Sequence, residues 1–156
     1  MGFEMRVEMD GCPSDSYGVL AHLDQATGDS TIVGRSPFLG YSGGLVGVSE
    51  NVLYAMMLPE RRNFVGMTQG QVYRLELNIL GELVSVAPVN VRGSFLAADK
   101  NGVLFTLGNN SVIKYTPATD TTVEYDISGC IETLGFIRGI GIASFPRDTP
   151  LNLTAN

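Results

Sequence analysis

Tryptophan is absent from this 156-residue chain, and histidine occurs once, as His22. With that one histidine in the middle of an expected strand, neither a Ser-His-Asp triad nor a multi-histidine metal site can be built within one chain. Charge is sparse, at 17% of residues, and its balance is −6 with a pI near 4.6. That balance excludes nucleic acid and an anionic membrane as main partners, because either requires a basic surface. No apolar run is long enough to span a bilayer, so membrane insertion is not expected. The start, Met1-Gly2-Phe3-Glu4-Met5-Arg6, lacks the hydrophobic centre of a signal peptide, and Arg6 stands where a myristoylation signal has Ser or Thr. The compartment therefore stays open, leaning to an extracellular, cell-surface or virion setting in which any export signal lies elsewhere. Amphipathic runs of helical length are almost missing, and nothing calls for a cofactor.

What is present is glycine, 19 residues of it, with 44% hydrophobic content. That content is too apolar for a disordered chain, and short apolar runs between turn residues point to one all-β domain over residues 1–156. The clearest unit runs from Arg92 to Asp126. Phe95–Ala98 and Val103–Leu107 flank Asp99-Lys100-Asn101-Gly102, and an Asn-Gly pair between apolar runs predicts a hairpin with positive φ at both Asn101 and Gly102. Gly108-Asn109-Asn110-Ser111 then leads into Val112–Thr116, and Pro117-Ala118-Thr119-Asp120 turns the chain into Thr122–Asp126. The product is a four-stranded antiparallel meander.

The rest of the chain repeats it. Leu45–Ser49, Val52–Met56, Val72–Leu77 and Glu82–Val86 form a second copy, with an excursion from Met57 to Gly70 inside it. Tyr17–Leu23 and Ser30–Gly34, joined by Asp24-Gln25-Ala26-Thr27-Gly28-Asp29, match the last two strands of the unit. Phe3–Met9 alternates apolar and charged residues as a strand with one wet face would. Three starts align: Gly43-Gly44-Leu45-Val46-Gly47-Val48-Ser49, Arg92-Gly93-Ser94-Phe95-Leu96-Ala97-Ala98 and Arg138-Gly139-Ile140-Gly141-Ile142-Ala143-Ser144. Arg35 to Gly44 reads as a loop carrying Phe38 and Tyr41.

A period of forty to fifty residues with one meander each resembles the blades of β-propeller proteins. The most specific piece, Gly18 to Gly34, looks like the third-to-fourth strand hairpin of propellers whose blades carry a Leu-Tyr-x-x-Asp-x-x-Thr-Gly signature. No WD dipeptide or kelch double glycine stands in register, so the subfamily stays open. The resemblance implies a partial blade at 3–34, blades at 44–86 and 93–126, and a partial blade at 138–154. It also implies small residues on first strands, where Gly47, Ala97, Ala98, Gly141 and Ala143 stand, and bulky ones on second strands, where Leu53, Tyr54, Leu104 and Phe105 stand. A β-sandwich with incidental repeats is the competing reading. Three blade equivalents do not close a ring of four to eight, so closure by oligomerisation is expected. Two chains pairing head to tail, with Leu151–Thr154 completing the partner's Val19–Gly34 blade, would give six blades; membership of a larger assembly is the alternative.

Candidate sites follow from blade geometry. Strand-four-to-one and strand-two-to-three links carry Arg35, Arg61, Arg62, Arg92 and Arg138, while the opposite turns carry Asp24, Asp29, Glu50, Asp99 and Asp120. Arg92 and Arg138, equivalent in the repeat, could hold a carboxylate, sulfate or phosphate, or else pair with Glu132 or Glu60. Phe64 beside Arg61 and Arg62 would make a contact patch for a protein or sugar, and Phe38, Tyr41 and Tyr54 could stack on a sugar or pack in the core. Cys12 and Cys130 fall on one face and either bridge, between or within chains, or remain free thiols. Asp99-Lys100-Asn101-Gly102 lacks the ligand run and terminal Glu of a calcium loop. Asn109-Asn110-Ser111 and Asn152-Leu153-Thr154 would accept glycans only in a secretory setting. The expected role is a non-enzymatic structural or interaction subunit, a homo-oligomer or a part of a larger assembly. A lectin-like binder of glycans or small anions is the alternative, and a propeller hydrolase or lyase the third.

Overall fold

The computed structural model describes residues 2–9, 16–36, 41–58 and 69–129, with side chains described over 19–35, 44–57 and 69–129. Among the described residues eleven strands form three separate antiparallel sheets, none of them closed. The first sheet holds β1 (Gly2–Met9), β2 (Ser16–Leu23) and β3 (Ser30–Ser36) in chain order. The second holds β4 (Tyr41–Ser49), β5 (Val52–Leu58), β6 (Gly70–Leu77) and β7 (Leu83–Gly93), and the third β8 (Leu96–Ala98), β9 (Leu104–Leu107), β10 (Ser111–Thr116) and β11 (Thr121–Asp126). Both larger sheets are the up-and-down meanders that the turn spacing predicts. The first sheet gains a third strand, since all of β1 pairs with β2 from Gly2↔Leu23 to Met9↔Ser16. Strands β1 and β8 both lie beside β4, and β3 lies beside β7.

Side-chain alternation turns these sheets into a stack. Along β5, Leu53, Ala55 and Met57 pack with Leu20, Leu75 and Leu77 between the first and second sheets. Tyr54 and Met56, pointing the other way, pack with Val72, Leu96, Leu104 and Tyr115 between the second and third. Every residue from Leu53 to Met57 is consequently buried. This is the pattern of a strand covered on both faces, and it explains a continuous apolar run in an antiparallel sheet, where one wet face is the commoner arrangement. Two sheets pressed on one core would make a sandwich; here three sheets enclose two cores.

Glycine sets the closest approaches. A Cβ on Gly44 would lie 3.0 Å from the Leu96 carbonyl oxygen and Cβ, where β4 meets β8. A Cβ on Gly93 would meet the Thr106 hydroxyl and lie 2.8 Å from the Leu107 carbonyl oxygen. These are the two glycines that align at the starts of the repeats, so the alignment has a steric cause. Gly139, the third, lies outside the described residues.

The turns correct one expectation. Gly102 has φ +74°, but Asn101 does not share its positive φ. The Gly102 amide donates to the Asp99 carbonyl at 3.0 Å and the Asp99 amide to the Val103 carbonyl at 2.9 Å, which makes a type I turn closed by a left-handed glycine. The Asp99 side chain selects it, its Oδ1 accepting from the amides of Asn101 at 2.8 Å and Val103 at 2.9 Å. Asn78-Ile79-Leu80-Gly81 repeats the design, with Asn78 Oδ1 accepting from Leu80 and Glu82 and Gly81 at φ +79°. Strand limits move as well. β3 reaches Ser36 and β4 begins at Tyr41, which shortens the expected loop and places Arg35 on a strand; β7 runs on to Gly93, which places Arg92 there too.

Candidate functional site

A cleft of about 420 Å³ opens between the second and third sheets, at the end where their hairpin turns lie. Val48 and Ser49, closing β4, and Val52 and Tyr54, opening β5, form one wall together with Arg74 of β6; Tyr115 of β10 and the turn Pro117, Ala118 and Asp120 form the other. Strand period places these groups together. Tyr54 pairs with Arg74 across the second sheet, so both project toward the third, while Tyr115 projects back from β10.

The two phenols sit at the floor, 3% and 4% exposed. Tyr115 donates its hydroxyl to Asp120 Oδ1 at 2.9 Å. Burial, followed by that bond and the Asp120 charge, pushes the Tyr115 phenol up to about 12. Burial also raises Tyr54, against the opposing charge and hydrogen bond of Arg74. Arg74 spans the wall, its Nη1 2.6 Å from Glu76 Oε1, and remains partly exposed. Asp120 is the one non-glycine residue with positive φ among the described residues, at +50°, a conformation that Asp tolerates better than most residues and that the Tyr115 bond holds. The cleft thus offers protonated phenols, a guanidinium and a carboxylate against an apolar wall of Val48, Val52 and Pro117. Such a set can hydrogen-bond a polar ligand.

A second depression, about 400 Å³, lies at the opposite end and is lined by Gln69, Asn109, Asn110, Ser111, Glu124 and Asp126. Gln69 Nε2 donates to Asn109 Oδ1 at 3.3 Å, and the buried Ser111 hydroxyl bonds the Glu124 carboxylate. The Asn109-Asn110-Ser111 sequon therefore has an exposed asparagine and a buried serine. No group of three His, Cys, Asp or Glu side chains that could hold a metal ion occurs among the described residues.

Arg92 is exposed near the end of β7, opposite Gln71 on β6, at the end of the second sheet away from the cleft. Tyr41 opens β4 opposite Leu58, and its side chain lies outside the described set, as do Arg61, Arg62, Phe64, Arg138, Cys12 and Cys130. Of the aromatic candidates, Tyr54 is a core residue and a floor residue at once. Glu50, Asp99 and Asp120 occupy hairpin turns at the cleft end. Arg74, Tyr115 and Asp120 were not legible as a site, because they come from two sheets some forty residues apart in sequence; the only local signal was the Asp after Pro117-Ala118-Thr119. No family model, curated protein or solved structure matches the chain.

Proposed function

We propose that the chain is a non-enzymatic structural or interaction subunit, built from propeller-type blades and completed by assembly with other chains. The observation that carries this reading is the stack itself: repeated four-stranded meanders lie face to face with first strand beside first strand, and none of the sheets closes on itself. Open sheets of this kind bury their apolar faces against a further layer. Native mass spectrometry tests it. A particle of at least twice the 16.7 kDa chain mass is expected, and a stable monomer at micromolar concentration overturns the reading.

The cleft of Tyr54, Arg74, Tyr115 and Asp120 favours a second reading, a binder of carbohydrate or small anions. Hydroxyl donors and acceptors beside an apolar wall suit a sugar, and Arg74 suits an anion. Thermal shifts with maltose, chitobiose and sulfate test it. A shift that Arg74→Ala or Tyr115→Phe removes supports this reading, and the absence of any shift in the parent rejects it.

A further inference from the structure

The guanidinium in the cleft wall is already engaged. Glu76 lies two residues further along β6 on the same face, and its Oε1 stands 2.6 Å from Arg74 Nη1. Around the Tyr54 phenol, whose pKa is raised first by burial, the Arg74 charge is opposed by those of both Asp120 and Glu76. One cation thus faces two carboxylates, on a chain that carries −6 as a whole. An anion entering the cleft would compete with Glu76 for Arg74 and would approach Asp120, so the charge of the site works against it.

The same groups suit a ligand that is neutral and rich in hydroxyls. Asp120 Oδ1 accepts from Tyr115 at 2.9 Å, while its Oδ2 takes no hydrogen bond among the described residues. A hydroxyl both donates and accepts, so neighbouring hydroxyls can give to Asp120 and receive from Arg74 or the Ser49 side chain. A cation would satisfy Asp120 but would meet the Arg74 charge. Both polar groups are also held before a ligand arrives, Asp120 by the buried Tyr115 and Arg74 by Glu76, which lowers the ordering cost of binding. Val48, Val52, Pro117 and Ala118 supply an apolar wall for the C–H face of a ring, and the volume of about 420 Å³ falls within the roughly 300–1,000 Å³ of small-molecule sites. We infer that the cleft takes a neutral sugar and discriminates against charged ones, with Glu76 setting that preference by occupying Arg74. The inference rests on the ligand-binding reading above and chooses between its two ligand classes.

Saturation-transfer NMR titrations of the full chain with maltose, chitobiose, glucuronate and the ammonium form of glucosamine test it. Maltose or chitobiose should bind at least about tenfold tighter than either charged sugar. Glu76→Gln, at a partly exposed position, should leave neutral-sugar binding unchanged and tighten glucuronate binding about tenfold, because Arg74 is released. Asp120→Asn keeps a residue that tolerates positive φ and can still accept from Tyr115, and it should weaken neutral-sugar binding about tenfold. Glucuronate or glucosamine binding as tightly as the neutral sugars overturns the inference and leaves the ligand-binding reading standing. No signal from any of the four probes defeats both together. Neutral-sugar binding that survives Asp120→Asn overturns the inference, as does glucuronate binding that Glu76→Gln leaves unchanged. Should Asp120→Asn fail to fold, the change of selectivity in Glu76→Gln decides alone.

Discussion

Two glycines with nearly the same backbone conformation test how much of a turn is backbone and how much is surroundings. Gly102 and Gly81 both close Asx-started turns at φ near +75° to +80°, but a Cβ on Gly102 would lie 3.3 Å from Val48 Cβ, whereas one on Gly81 would meet nothing within 4 Å. Gly102→Val should cost about 1–3 kcal/mol, through left-handed strain and pressure on β4, and should exceed Gly81→Val. Urea denaturation midpoints check this; equal losses would mean that Val48 simply moves aside. Tyr115 supplies the pH dependence. Its folded pKa is raised to about 12 by burial and by Asp120, above the unfolded value of about 10. Its contribution is thus fully present below pH about 10 and is lost as pH rises through about 12. Melting temperatures of the parent should drop more steeply over that alkaline window than those of Tyr115→Phe, and parallel curves would reject the assignment.

At the scale of the element, β7 is long and irregular for an identifiable reason. Its pairing with β6 skips from Gln71↔Arg92 to Tyr73↔Pro88, so that Val89, Asn90 and Val91 bulge out of the ladder. The Gln71 amide reaches across and donates to the carbonyls of Val89 and Val91, the latter at 3.1 Å, which satisfies groups that the bulge removed from pairing. The bulge lets Val89 and Val91 turn into the core shared with the third sheet. Gln71→Leu should then cost about 1–3 kcal/mol by leaving carbonyls unsatisfied at a partly buried site. Faster hydrogen exchange confined to β6 and β7 is the expected signature, and unchanged exchange there would show that water replaces the amide. The Pro88 at this bulge sits where a proline is tolerated, because it has no N–H to give to the ladder.

For the molecule as a whole, the second sheet is the common wall of both cores. Met56 faces the third sheet and Leu75 the first, and both are fully buried. Met56→Ala and Leu75→Ala should each cost about 2–5 kcal/mol. Because the two side chains belong to opposite cores, the double variant should lose the sum within about 0.5 kcal/mol in chemical denaturation. A loss well below the sum would show that the second sheet shifts as a unit and that the two cores relax together.

The sequence by itself determined the local architecture. Asp-x-x-Gly and Asn-x-x-Gly turns, period-two alternation and the recurring glycine start specify which residues become strands and which strands neighbour one another, because hairpins are set by contacts a few residues apart. The same local reading misjudged Asn101, since an Asp side chain two residues earlier captured the turn. It also ended the strand before Arg92, since the bulge depends on Gln71, some twenty residues away. Which face of each strand meets which sheet, and the cleft that gathers Tyr54, Arg74, Tyr115 and Asp120, were decided only by the tertiary structure. Alternation says that a strand has two faces, but only the stacking of separate sheets says what each face meets.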